Sequence, residues 1–292
     1  MDQPTSTEHA ASTGLAATSA AWLDLSYESS RSEYEAAVQS VGLEQGWHVL
    51  DAGCGSGSFL PALADLVGPT GKLTALDLAP DNIAVVGERL EQHPLACPVE
   101  TCVGSILDLP FADASFDAVW VAQVLIYLSD EECIQALAEL NRVVRPGGLI
   151  AAKESTGPLC PYSINPRYWF PVYTHALMNV FRGAPRSPAL GRWFERAGLE
   201  AIQQRGVLVE RPAPVAQVTR RASARLYQFM AEMAEIVDLP PGGPEFWAAQ
   251  RDPESPESLA NHPDLSTGSI HYIVTGRVPA RTSNNLSETG QR

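Results

Sequence analysis

Val49-Leu50-Asp51-Ala52-Gly53-Cys54-Gly55-Ser56-Gly57 decides how the rest of this 292-residue chain is read. The apolar run from Trp47 to Leu50 predicts a buried strand. It ends in a carboxylate and three glycines at alternate positions, and an apolar helical pattern follows (Phe59, Leu60, Leu63, Leu66, Val67). Strand, tight glycine turn and helix form the first unit of a doubly wound α/β sheet, whose ligands sit at the carboxyl ends of the strands. Glycine suits the turn because the backbone must bend sharply and admit a ligand without a Cβ in the way.

The spacing discriminates between ligands. A dinucleotide site wants Gly-x-Gly-x-x-Gly, but here the third glycine comes one place early and Ser58 stands where that glycine would be. Asp51 discriminates further. A carboxylate at the strand tip repels a pyrophosphate and suits a ligand with a cationic end. A second apolar strand, Lys72 to Leu78, carries Asp77 at its tip, where a carboxylate can accept ribose hydroxyls. A nucleoside with a positively charged tail and no phosphate describes S-adenosylmethionine, not a nicotinamide dinucleotide.

The stretch from Trp47 to Glu154 resembles the class I S-adenosylmethionine-dependent methyltransferases, in the small-molecule group of the ubiquinone/menaquinone methyltransferases. Four motifs in order carry the resemblance: Val49 to Gly57; Leu76-Asp77-Leu78; Gly104 to Phe111 continuing to Ser115-Phe116-Asp117; and Arg142 to Gly148. The resemblance implies a Rossmann-like seven-stranded sheet, mostly parallel with an antiparallel last strand, plus helical cap insertions. It implies that Asp51 holds the cofactor's ammonium, directly or through water, and that Gly53, Cys54, Gly55 and Gly57 cradle its methionine part. Asp77 would bind the ribose, Leu78 would pack on the adenine, Ser105 and Ile106 would line the adenine edge, and Gln123 would sit near the carboxylate or sulfonium. The expected reaction is transfer of a methyl group, by SN2 displacement, to a small hydrophobic or aromatic biosynthetic intermediate. The alternatives are a cyclisation or rearrangement on the same fold, or methylation of an isoprenoid carbon.

The chain departs from the family's Leu-Glu-His after strand four, reading Leu125-Ile126-Tyr127. Tyr127 therefore joins Glu154, at the tip of strand five, and His175 as candidates for proton transfer. An N-terminal helical pattern over residues 20–43 places Tyr27, Arg31 and Tyr34 as candidates for closing the site. A proline-rich, aromatic segment, 155–188, is expected to build the acceptor pocket with Tyr168, Trp169 and Tyr173, and Arg182, Arg186 and Arg192 are candidates for an anionic group on the acceptor. Residues 210–268 separate the last two strands, which suggests a lid or an oligomer contact. The organisation expected is a disordered N-terminus over 1–19, one methyltransferase domain over 20–280, and a flexible tail over 281–292.

Bulk properties narrow the classes. The formal net charge of -14, with no dense Lys/Arg cluster, argues against nucleic acid as substrate. Five cysteines without CxxC spacing, no signal-peptide pattern and no long apolar run predict a cytoplasmic protein with reduced thiols and no membrane span. No metal site is expected.

Overall fold

The computed structural model describes residues 19–161 and 163–280; the expectations for residues 1–18 and 281–292 fall outside them. Seven strands form one sheet: β1 (His48–Ala52), β2 (Lys72–Asp77), β3 (Val99–Val103), β4 (Phe116–Ala122), β5 (Val144–Pro158), β6 (Glu200–Arg211) and β7 (Thr267–Arg277). Their spatial order is β3-β2-β1-β4-β5-β7-β6. Strands β1 to β5 pair in parallel, while β7 runs antiparallel to both β5 and β6. The winding reverses between β1 and β4, so the crevice at their carboxyl ends is where a ligand belongs. The glycine turn after β1 opens into it.

The sequence explains the layers. Ala118, Val119, Trp120 and Val121 of β4 are all fully buried, as a central strand covered on both faces requires. Alternation sends Leu50, Ala52, Val119 and Val121 to one face, against Leu137 and Leu140 of α5 (Asp130–Val143). It sends Val49, Ala118 and Trp120 to the other, against α2 (Arg31–Gln39) and α3 (Leu60–Val67). Helix α4 (Pro80–Gln92) carries Pro80 in its first turn, where a missing N–H costs nothing. The N-terminal helical pattern is two helices, α1 (Ala20–Ser29) and α2, broken at Ser30. Strand β5 runs past Glu154, the expected tip, to Pro158, because β7 pairs alongside it to that point.

A third core lies beyond the sheet. Helices α6 (Pro166–Asn179), α8 (Gln217–Ala234) and α9 (Gly243–Ala249) pack Trp169, Val172, Tyr227, Met230 and Trp247 together. Helix α7 (Leu190–Arg196) instead returns Phe194 to the sheet core before β6.

Ser129 caps α5 with a reciprocal pair: its Oγ accepts from the Glu132 amide at 3.2 Å, and Glu132 Oε2 accepts from the Ser129 amide at 2.7 Å. Replacing Ser129 by Ala should cost about 1 kcal/mol. The expected result is a lower urea midpoint at unchanged slope; an unchanged midpoint would show that the cap contributes nothing.

Candidate active site

The glycine turn is held by β2. The amides of Gly53 and Cys54 both donate to the Leu76 carbonyl, at 2.7 and 2.9 Å. Gly53 has φ +80°, and a Cβ there would lie 2.4 Å from a Val124 methyl. Conformation and space both demand glycine. Gly55, at φ +54°, is covered by Leu23 of α1.

Two carboxylates lie beneath this turn. Asp77 accepts from the Gly55 amide at 2.8 Å through Oδ2, and from the Ala79 amide and Asn82 Nδ2 at 2.9 and 3.1 Å through Oδ1. A carboxylate offers about four acceptor sites. Asp77 therefore keeps room for one ribose hydroxyl rather than two. Asp51 is buried, and its Oδ2 has no partner among the described residues. Burial, with Asp77 adding its charge, pushes the Asp51 carboxyl up to about 8. It stands behind the cavity wall, not in it. Burial also pushes the Cys54 thiol well up, so that residue packs and is not a nucleophile.

A cavity of about 360 Å³ opens on the turn. Gly53, Cys54, Gly55, Asp77, Leu78, Ser105, Ile106 and Gln123 line it, as do Tyr27, Tyr34 and Tyr127. Gly57 faces a neighbouring cavity instead. Gln123 occupies the left-handed region at φ +57°; its Nε2 donates to Ser155 Oγ at 3.3 Å, and its buried Oε1 has no partner among the described residues. Backbone strain of this kind at a cavity wall marks a position fixed by its surroundings. An orphaned buried carboxylate oxygen and a Cβ-free turn fit a nucleoside with a cationic tail.

Helix α1 covers this cavity and is fastened to it. Asp24 accepts from Ser56 Oγ and Ser58 Oγ at 2.7 and 2.9 Å and pairs with Arg89 of α4. Burial alone would raise the Asp24 carboxyl, but these donors hold it below its usual value. Sequence reading missed Asp24, since its partners lie far along the chain.

A second cavity, about 220 Å³, adjoins the first. The two share Trp22, Ser26, Tyr34, Gln123 and Tyr127. Phe181, Ser155, Thr219, Leu226 and His271 complete much of the second wall. Burial, followed by the charge of Glu154, pushes the Tyr127 phenol up. Tyr27 is likewise pushed up to about 12 by burial. Both phenols stay neutral at ordinary pH.

Several expected site residues lie elsewhere. Glu154 lines neither cavity: its carboxylate accepts from the amides of Val124, Leu125 and Ile126 at 3.0, 2.8 and 3.2 Å, and so holds the turn that carries Tyr127. Burial pushes it up to about 7. His175 sits half-buried on α6, its carbonyl accepting from Asn179 at 2.9 Å, away from both cavities. Trp169 and Tyr173 pack in the third core and Tyr168 lies against Phe246; Tyr173 donates to the Thr156 carbonyl at 2.6 Å, and Tyr168 to that of Pro241 at 3.3 Å. The pocket aromatics are instead Trp22, Tyr34, Tyr127 and Phe181. Arg186 is buried on Asp130 and the carbonyls of Leu125 and Leu128, while Arg192 pairs with Glu195 at the surface. Arg182 reaches the first cavity but pairs with Glu132. No cluster of His, Cys, Asp or Glu among the described residues could hold a metal.

Glu154→Ala leaves three buried amides unpaired and should cost at least about 3 kcal/mol, read from urea denaturation. Unchanged stability would contradict this scaffold role.

Residues 49–148 match a methyltransferase domain family. A demethylmenaquinone methyltransferase of Staphylococcus aureus is 29% identical over 196 residues, covering 62% of this chain and 79% of that protein. Among solved structures, a methyltransferase from Bacillus halodurans superposes with a TM-score of 0.56 at 17% identity, over 85% of this chain and 100% of that one. The 4+2 cyclase SpnF superposes at 0.51 with 22% identity, over 85% of this chain and 80% of that one. With its seven-stranded sheet, its glycine turn and the two carboxylates beneath it, the chain carries a methyltransferase domain over residues 49–148 and resembles the class I S-adenosylmethionine-dependent methyltransferases of the ubiquinone/menaquinone group.

Proposed function

We propose that the chain methylates a small, hydrophobic or aromatic biosynthetic intermediate held in the 220 Å³ cavity. The observation that carries this reading is the meeting of two cavities at Tyr34, Gln123 and Tyr127, one on the glycine turn and the other walled largely by apolar and neutral side chains. S-adenosylmethionine, when bound, supplies a methyl group already activated on a sulfonium. The protein's share is positioning and exclusion of water.

Gly53, Cys54 and Gly55 would take the methionine end, with Asp51 behind them supplying the charge that favours an ammonium. Asp77 would receive a ribose hydroxyl on its free lone pair. Leu78 would cover the adenine, with Ser105 and Ile106 at its edge. Gln123 Oε1, unpartnered at the junction, would face the sulfonium side. Tyr27 and Tyr34 close the site from α1 and α2, and Tyr127 orients the acceptor as a neutral donor. Such a role suits small-molecule secondary metabolism in the cytoplasm. The acceptor is of the same broad kind as the ring named by the demethylmenaquinone relative.

A second reading, cyclisation with the cofactor as scaffold, draws on Tyr127: the phenol at the position of the family's histidine is held neutral by burial, which suits binding better than proton removal. Radiolabelled methyl separates the two. The expected result is label passing from S-adenosylmethionine into a low-mass product of extract fractions. Asp77→Ala should weaken cofactor affinity by about ten- to hundredfold through loss of a charge-assisted hydrogen bond. Consumption of an acceptor without transfer of label would favour cyclisation; unchanged affinity in Asp77→Ala would refute the ribose assignment.

A further inference from the structure

The far wall of the 220 Å³ cavity is β7, and His271 stands in it. The side chain is 5% exposed. Its Nε2 lies 2.6 Å from Ser269 Oγ, and Ser269 lines the same cavity. Its Nδ1 has no partner among the described residues. A buried, unpartnered ring nitrogen costs free energy until a donor reaches it, and Lys153 Nζ nearby is also without a partner among the described residues.

The surroundings define that ligand. Lys153 of β5, Tyr34 and Glu33 of α2, Arg211 of β6 and the Tyr127 phenol are the titratable groups gathered around this end of the cavity. Lys153 Nζ is buried 3.6 Å from the Tyr34 ring centroid, and the Tyr34 and His271 rings are 5.5 Å apart. Burial, with Lys153 and Arg211 adding their charges, pushes the imidazole down to about 2, so the ring is neutral. Arg211 is the basic residue in the cavity lining, and all five of its donors are taken: by Glu33, by the carbonyl of Ser29 and by that of Glu210. It has none left for a carboxylate or a phosphate. Cations beside the ring also favour a lone pair over a further N–H at the unpartnered nitrogen.

We propose that His271 is the anchor of the methyl acceptor, its Nε2–H donated to Ser269 and its Nδ1 accepting a hydrogen bond from a neutral hydroxyl of the phenol or enol class. The inference rests on the second cavity being the acceptor site. It makes His271 a residue that selects the acceptor by its O–H. Diphosphates and carboxylates are disfavoured, because Arg211 has no donor left for them and Lys153, whose Nζ has no partner among the described residues, does not line the cavity.

Phenol and its O-methylated counterpart, anisole, test this on the full chain saturated with S-adenosylhomocysteine. Phenol should bind about fivefold more tightly than anisole, the size expected of one hydrogen bond. His271→Leu should abolish the preference, and His271→Asn, which keeps polar atoms at the site, should retain part of it. Nitrogen NMR of the wild-type imidazole needs no variant: it should show Nε2 protonated and Nδ1 bare, with Nδ1 shifting on addition of phenol and not of anisole. Equal binding of the two compounds, no saturable binding of phenol, or the opposite tautomer would overturn the proposal. Failure of S-adenosylhomocysteine to bind in the same samples would instead overturn the methyl-transfer reading, independently of any phenol preference.

Discussion

A buried carboxylate whose Oδ2 has no partner among the described residues organises this molecule. Asp51 lies at the tip of β1, fully desolvated, beside a second carboxylate on the next strand. Isolated ionised carboxylates are costly to bury, and a like-charged neighbour raises the cost. Burial and Asp77 keep the group protonated near neutrality. A cationic ligand reverses that balance, and a pyrophosphate worsens it. The glycine turn exists to let that ligand approach, and it is hung from Leu76 and Asp77, so that one strand tip shapes both the turn and the ribose side.

The same economy runs through the rest of the site. Glu154 holds the segment after β4, which carries Tyr127 into both cavities. Arg142 holds the segment before β4, donating to the carbonyls of Leu109 and Phe111 at 3.0 and 2.7 Å, close to Ser105 and Ile106. Asp24 ties α1 to the turn it covers. Charged residues that look chemical in a sequence serve here as brackets for backbone. The groups that face the cavities are mostly neutral: phenols, an amide, serines and an imidazole. That division suits a reaction whose reagent arrives activated, since the protein need only orient two molecules and keep water out.

Much of this was legible in the chain. Strand tips carry their chemistry in adjacent residues, so the glycine turn and the carboxylates of Asp51 and Asp77 could be placed around one crevice before any contact was known. Where partners are distant in sequence the reading failed. Nothing near Asp24 points to Ser56 or Arg89, and nothing near His271 points to Lys153 or Tyr34. Aromatic content in the 155–188 segment could not distinguish a pocket from a core, and Trp169 proved to be core because α8 and α9, from the later insertion, pack over it. Glu154 lies inside β5 rather than at its tip, and its side chain serves amides that sequence spacing does not reveal.

Calorimetric titration with S-adenosylmethionine and S-adenosylhomocysteine, with NAD as control, in two buffers of different ionisation enthalpy, tests the central claim most directly. Asp51 is pushed up to about 8, so it carries a proton at pH 7 that a bound ammonium should expel. The account predicts binding of both adenosyl ligands with proton release, affinity rising with pH toward 8, and no binding of NAD. Binding of NAD with no binding of either adenosyl ligand would contradict it.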